Sequence, residues 1–178
     1  MIGVLAVCCW LVAVQPTPLS PVGGTGTEAE LSKAGDGRLQ LALRADFDAL
    51  LLGIGSTTPL EQRVRAMESL RGEDLEAAIE RLKRYLQRRV RIRFDDQAAP
   101  LTVSFPELRY GIDGVRLLTL GNESRLLCTI PQGARSVTFF ASRSFGPVTL
   151  RGFAGPGGRR QQIRLEAGQT SPPLGIPP

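Results

Sequence analysis

The spacing of apolar positions changes along the chain, and each change marks a predicted element. Over residues 59–88 apolar side chains recur every three or four positions, the repeat of an amphipathic helix. Thr58 supplies an N-cap, Pro59 fits a first turn, and Gly72 divides the segment into two helices. The second helix, over 73–87, carries the clearer stripe. Its apolar positions are Leu75, Ile79, Leu82 and Leu86.

Most of the remaining chain alternates apolar and polar residues, as half-buried strands require. Alternation is clearest over 38–44 and 90–94. Residues 101–105 alternate in the same way, and the turn chemistry of residues 95–97 predicts that they form a hairpin with 90–94. Residues 50–53 fit one helical turn that ends at a glycine. Further strands are expected at 115–120, 125–130, 135–141, 147–153 and 161–166.

Short strands about ten residues apart predict a mostly β fold, an antiparallel β-sandwich-like domain. The helix pair, at about 59–88, is an insertion after the first strand, which makes the class α+β. We expect one globular domain over 38–168, because about 150 residues is the usual size of a single domain. Residues 25–37 are polar and Gly-rich and are expected to be a flexible lead-in. Residues 169–178 are Pro-rich and are expected to be a disordered tail.

The first 24 residues have the layout of an export signal. Ile2–Val14 is an apolar run, shorter than the roughly 18 to 20 residues that span a bilayer. Small and turn-forming residues follow it, and Val22-Gly23-Gly24 is the best candidate cleavage site. We therefore expect an exported protein of the periplasm or cell envelope. The alternative is that the segment stays uncleaved and anchors the chain to the membrane.

Positive charge is concentrated in one segment. Residues 81–93 carry seven basic side chains and no acid, whereas the formal net charge of the whole chain is only +5. On a helix, Arg81, Arg84 and Arg88 share the face opposite the leucines. On the following strand, residues 89, 91 and 93 share the solvent side. The candidate patch for an anion or a partner is thus Arg81, Arg84, Arg88, Arg89, Arg91 and Arg93. The alternative is a solvated face that the acidic N-terminal third neutralises.

Residue usage argues against most catalytic chemistry. The chain has no histidine, so it cannot build a Ser-His-Asp or Cys-His site or the usual zinc sites. Outside the leader Cys128 is the single cysteine, and its apolar strand indicates a small buried hydrophobe. Three groups of acids lie close together in the sequence, and turns and helix caps explain them without a catalytic role. They are Asp46 with Asp48, Asp95 with Asp96, and Glu73, Asp74 with Glu76. We expect no catalytic residue, metal ligand or cofactor.

Several short motifs between Leu39 and Leu174 carry a resemblance to a known family. They are Asp48–Gly53, Leu86–Asp95 with Val103–Pro106, Ala141–Val148 and Glu166–Pro172. On these motifs the chain resembles the extracytoplasmic N-terminal domains of bacterial hydrogenase/urease-accessory-type membrane proteins. In such proteins a similar tail leads into membrane helices that carry the residues linked to nickel or cobalt transport. This sequence has neither those helices nor a histidine, so the resemblance carries no transport residue over.

These observations favour a non-catalytic exported module that docks onto, or accompanies, an envelope membrane protein. The alternative is a soluble periplasmic protein that binds anionic lipid or another polyanion through the arginine patch. Nucleic acid is an unsuitable partner for an exported chain whose basic segment contains Tyr85 as its one aromatic residue. The sequence does not define an oligomeric state.

Overall fold

The computed structural model describes residues 26–35, 37–55, 57–95, 97–107, 120–154 and 160–177. Its described elements are mainly strands in two sheets, with three α-helices, which confirms the predicted α+β, sandwich-like class. The strands are β1 (Thr27–Ala34), β2 (Arg38–Arg44), β3 (Val90–Phe94), β4 (Gln97–Ala99), β5 (Thr102–Ser104), β6 (Glu123–Thr129), β7 (Ser136–Ala141), β8 (Val148–Ala154), β9 (Arg160–Leu165) and β10 (Leu174–Gly175). The α-helices are α1 (Phe47–Leu52), α2 (Leu60–Ser69) and α3 (Gly72–Arg89).

One sheet has six strands in the order β5-β6-β2-β1-β8-β9, and the other has four in the order β10-β7-β3-β4. Neighbouring strands are antiparallel except for β1 and β8, which run parallel. The helices lie between β2 and β3, the two strands that the sequence predicted to flank them. The chain passes directly from α3 into β3, because Val90 is both the C-cap of the helix and the first residue of the strand.

The core forms where the apolar sides of the strands face the apolar side of α3. Leu39, Leu41 and Leu43 on β2 are fully buried, as the alternation over 38–44 predicts. The stripe of α3 joins the same core, with Leu86 fully buried and Leu82 nearly so. The opposite face of α3 is therefore left to solvent, and that face carries arginines.

The predicted flexible lead-in is wrong for residues 27–34, which form β1 in the interior of the six-stranded sheet. Ala29 and Leu31 are buried between polar neighbours, so this segment alternates like the other strands although it has few large apolar residues. The Thr27 hydroxyl donates to the Phe145 carbonyl at 2.8 Å and holds the start of the strand. The predicted export signal, residues 1–24, lies outside the described residues.

The predicted disordered tail is also wrong over residues 171–177. The Phe139 amide donates to the Ser171 hydroxyl at 2.9 Å, and the Ser171 amide donates back to the Phe139 carbonyl at 2.8 Å. Leu174 is buried, and β10 pairs with β7. The prolines limit this strand to two residues, because proline has no N–H for a ladder.

The predicted hairpin between 90–94 and 101–105 is wrong as well. β3 pairs with the short β4 and with β7, whereas β5 pairs with β6 in the other sheet. Pro100 follows β4 directly and offers no N–H to extend the ladder, so the chain crosses to the second sheet there. Of the strand expected at 115–120, only Leu120 is described.

The helix ends agree with the sequence in part. Gly53 ends α1 with φ +67°, and the Asp46 carboxylate caps its start by accepting from the Ala49 amide at 3.0 Å. The predicted cap of α2 is wrong: Pro59 occupies the N-cap position, and no side chain accepts there, so Thr58 has no capping role.

Candidate functional site

All six arginines of the predicted patch are exposed, and we call them the cationic surface: Arg81, Arg84, Arg88, Arg89, Arg91 and Arg93. The first four lie on α3 and are exposed, because the helix buries its leucines on the other side. Arg91 and Arg93 alternate with the buried residues of β3 and therefore point away from the core. The uninterrupted passage from α3 into β3 makes the two rows adjoin at Val90.

Two of these arginines lie against aromatic rings. Arg89 was expected on the strand, but it is the last residue of α3, and its guanidinium carbon lies 5.8 Å from the centre of the Tyr85 ring one turn earlier. The guanidinium carbon of Arg91 lies 5.6 Å from the centre of the Phe140 ring, on the strand paired with β3. Both contacts have cation–π geometry, which favours a defined position for each guanidinium while the charge stays exposed.

Most of the cationic surface is not neutralised by neighbouring acids. In the described part of the chain, Arg81, Arg84, Arg88, Arg89 and Arg91 form no ion pair. Glu80, which precedes Arg81 on α3, is bound by the Lys83 ammonium at 2.7 Å. The hydrogen bond from Lys83, followed by the charges of Lys83 and then Arg84, lowers the pKa of Glu80.

The acids of the N-terminal third pair with arginines elsewhere. The two carboxylate oxygens of Glu28 lie 3.7 Å from a guanidinium nitrogen of Arg44 and 3.8 Å from one of Arg151, both on neighbouring strands. Further pairs join Glu30 to Arg160 and Asp46 to Arg63. None of these four ion pairs includes an arginine of the cationic surface, so they do not support the expected alternative that the acidic N-terminal third neutralises the patch.

Three hydroxyl groups lie beside the Arg89 end of the cationic surface. The Tyr85 hydroxyl donates to Ser144 Oγ at 2.6 Å, and Ser144 Oγ lies 2.6 Å from Ser142 Oγ. The Ser142 amide donates to the Arg89 carbonyl at 2.8 Å, which fixes this group against the end of α3. We call Tyr85, Ser144 and Ser142 the hydroxyl chain. Sequence reasoning missed it, because only the pairing of β3 with β7 brings residues 59 positions apart together.

The other candidate side chains have structural roles. Cys128 is buried as predicted, and desolvation raises the pKa of its thiol to about 11. Asp48 accepts from the Leu120 amide at 2.9 Å. Asp95 accepts from the hydroxyl and the amide of Ser136, and the hydroxyl bond is the main cause that lowers its pKa. Asp96 lies outside the described residues.

The described residues contain no group of three or more side chains of the types His, Cys, Asp and Glu placed to hold a metal ion. Over the same ranges, no helix has the length and apolar character needed to cross a membrane. The geometry that remains for function is a row of exposed, mostly unpaired guanidinium groups next to a small set of hydroxyls.

Comparisons of the chain with protein-family models, with curated proteins and with solved structures find no match. The resemblance to extracytoplasmic N-terminal domains described above therefore stays an expectation.

Proposed function

We propose that this protein is a non-catalytic exported module of the bacterial cell envelope that binds an anionic surface through its cationic surface. The observation that carries the proposal is that Arg81, Arg84, Arg88, Arg89 and Arg91 are exposed and form no ion pair within the described residues. Exposed like charges repel one another, so their concentration in one segment weakens the fold slightly unless an anion offsets it.

Anionic phospholipid is the partner class that fits this arrangement best. Each arginine or lysine close to an anionic membrane contributes roughly 1 kcal/mol to binding, and the effect decays over about 10 Å at moderate salt. Several arginines on adjoining elements therefore add up to useful affinity without a pocket. Guanidinium groups also bind phosphate oxygens in a planar, two-pronged geometry, which a flat row of headgroups can accept.

The test is co-sedimentation with vesicles. Wild type should bind vesicles that contain phosphatidylglycerol at low salt, lose them as salt rises, and ignore vesicles of pure phosphatidylcholine. The variant Arg84→Gln, Arg88→Gln, Arg91→Gln should lose binding while its melting temperature stays nearly unchanged, because exposed charges add little to stability. Failure of wild type to bind anionic vesicles at low salt would contradict the proposal.

Docking onto an envelope membrane protein is the second candidate, and the resemblance carried by Ala141–Val148 and Glu166–Pro172 favours it. The same cationic surface would then contact acidic side chains. Native envelope membranes distinguish the two cases, since treatment with protease removes a protein partner and leaves the lipid. Binding that survives protease and also occurs on protein-free vesicles supports lipid. Binding that protease abolishes supports the membrane protein.

Export is the part of the proposal that the N-terminal segment supports. Mass spectrometry of the envelope fraction should find a mature N-terminus between about residue 15 and residue 27. The later limit follows from β1, because Thr27 begins this interior strand and binds the Phe145 carbonyl. Recovery of intact Met1 in the cytosol would contradict export.

A further inference from the structure

The hydroxyl chain and Arg89 together form an arrangement that the cationic surface alone does not explain. Its three hydroxyl groups belong to a helix and to the segment after β7, and they meet at the end of α3. Ser142 is buried and Tyr85 is half-buried, and the hydroxyl that bonds to both of them, that of Ser144, belongs to an exposed residue. Tyr85, which donates to the exposed Ser144, also has the guanidinium of Arg89 over its ring.

The hydrogen-bond count leaves one donor available. Three hydroxyl groups carry three protons, and the two bonds along the chain use two of them. Ser144 Oγ already accepts from Tyr85, and its bond to Ser142 is satisfied whichever of the two serines donates. When Ser142 donates to Ser144, the third proton is that of the exposed Ser144 hydroxyl and has no acceptor among the described residues, so a ligand oxygen that can accept would complete the arrangement.

We propose that Arg89, Tyr85, Ser142 and Ser144 form a phosphate-binding subsite within the cationic surface, and this inference rests on the proposed function. A phosphate group presents several acceptor oxygens and, as a monoester, carries a charge of about −1.5 to −2 at pH 7. One oxygen would accept from the free hydroxyl proton and others from the guanidinium of Arg89. Arg91, two residues further along and outward on β3, adds positive charge. A carboxylate has fewer acceptor sites and would use the arrangement less fully.

The hydroxyl chain makes a distinction that charge alone cannot make. Non-specific electrostatic attraction depends on net charge and distance and is insensitive to the loss of neutral hydroxyls. Hydrogen bonds from hydroxyls to a charged acceptor are short-ranged and depend on geometry. A phosphate subsite therefore predicts that two neutral substitutions weaken binding of phosphate, whereas a purely electrostatic surface predicts no change.

The test is an amide NMR titration of the full chain with inorganic phosphate at constant ionic strength, with acetate as a comparison anion. Wild type should show saturable shifts at the amides of residues 89 and 142–144 with phosphate and weaker binding of acetate. The double variant Tyr85→Phe, Ser144→Ala keeps every charge and keeps the ring that packs on Phe145. Its affinity for phosphate should fall about tenfold, as expected for losing hydrogen bonds to a charged group. The control Ser104→Ala removes an exposed hydroxyl on β5 and should leave the affinity unchanged.

A second arm identifies where the phosphate comes from. Vesicles that contain phosphatidic acid present the group as a headgroup, and inorganic phosphate should release the protein from them if the headgroup is the ligand. Binding of inorganic phosphate without binding of these vesicles assigns the subsite to a soluble phosphorylated ligand. Either result supports the subsite. The absence of saturable shifts with phosphate, or equal affinity in wild type and the Tyr85→Phe, Ser144→Ala variant, would overturn it. Binding of wild type to phosphatidylglycerol vesicles is a separate measurement, so the failure of the subsite can be distinguished from the failure of the proposed function.

Discussion

The outer face of the six-stranded sheet and the cationic surface are both rich in arginine, but within the described residues the former pairs its arginines with acids, whereas five of the six arginines of the latter form no ion pair. Arg44 on β2 lies 3.7 Å from Glu28 on β1 and 3.6 Å from Glu123 on β6. These residues are direct cross-strand partners, so the strand register itself pairs opposite charges. Arg125 and Arg151 add pairs to the same two glutamates. We call this region the paired surface.

The arginines of the paired surface contribute to the fold through ion pairs, whereas most of those on the cationic surface do not. On the paired surface each of these guanidinium groups has a carboxylate within 4 Å, and the charges offset one another across strands. On the cationic surface Arg89 and Arg91 lie against aromatic rings, and the hydroxyl chain starts from the ring that Arg89 contacts. Residues 81–93 carry seven basic side chains and no acid, so an anionic partner meets a concentration of positive charge there.

Removing a core leucine beneath either surface should have the largest effect on stability, and it tests whether the same core supports both surfaces. Leu86 under the cationic surface and Leu41 under the paired surface are both fully buried. We expect Leu86→Ala and Leu41→Ala each to lower the free energy of unfolding by about 2–5 kcal/mol, since each leaves a cavity. Urea denaturation measures both values. A much smaller loss for Leu86→Ala would mean that α3 is loosely attached and that the two surfaces are not equally fixed.

The second prediction tests whether the Cys128 thiol, on β6 of the same sheet, is shielded from water. Burial raises the pKa of Cys128 from 9.0 to about 11, so the unfolded chain releases this proton at lower pH than the folded chain does. Stability should therefore fall as the pH rises from about 9 to about 11. The Cys128→Ala variant should lack that part of the decline, as measured by urea midpoints across the range. An identical decline in the variant would contradict the burial of the thiol.

The smallest expected effect concerns the ion pairs themselves. Arg44→Gln removes two contacts of the paired surface and should cost about 0.2–1 kcal/mol of stability, whereas Arg84→Gln should cost close to nothing. The loss for Arg44→Gln should shrink at high salt, because the pairs are partly exposed and screened. Matched thermal melts at low and high salt measure the difference. Equal costs for the two variants would remove the contrast between the surfaces.

The sequence predicts the parts of this fold that local periodicity determines. The stripe over 73–87 and the alternation at 38–44 and 90–94 gave the helix, the strands and the buried side chains correctly. The interior strand over 27–34 was missed because its apolar residues are small and widely outnumbered by polar ones. The partner of 101–105 was missed because pairing depends on long-range packing, which no local pattern contains.

Some features of the candidate site can likewise be predicted from the sequence, and others cannot. The exposure of the arginines follows from α3 and β3 being amphipathic, and the sequence predicts it. The placement of Arg89 at the helix end was missed, because the boundary between α3 and β3 lies within an unbroken arginine-rich run. The hydroxyl chain depends on the register between β3 and β7, and the separate positions of Tyr85 and Ser144 along the chain give no signal of it.

Two variants that lose the same charge from different places test whether membrane binding is localised to the cationic surface. The first is Arg84→Gln, Arg88→Gln, Arg91→Gln on the cationic surface. The second is Arg65→Gln, Arg135→Gln, Arg164→Gln, which removes three exposed arginines from α2, from the turn before β7 and from β9. Binding to phosphatidylglycerol vesicles at low salt should be lost in the first variant and largely retained in the second. Equal loss in both would show that net charge alone attracts the membrane, and it would contradict a localised binding surface.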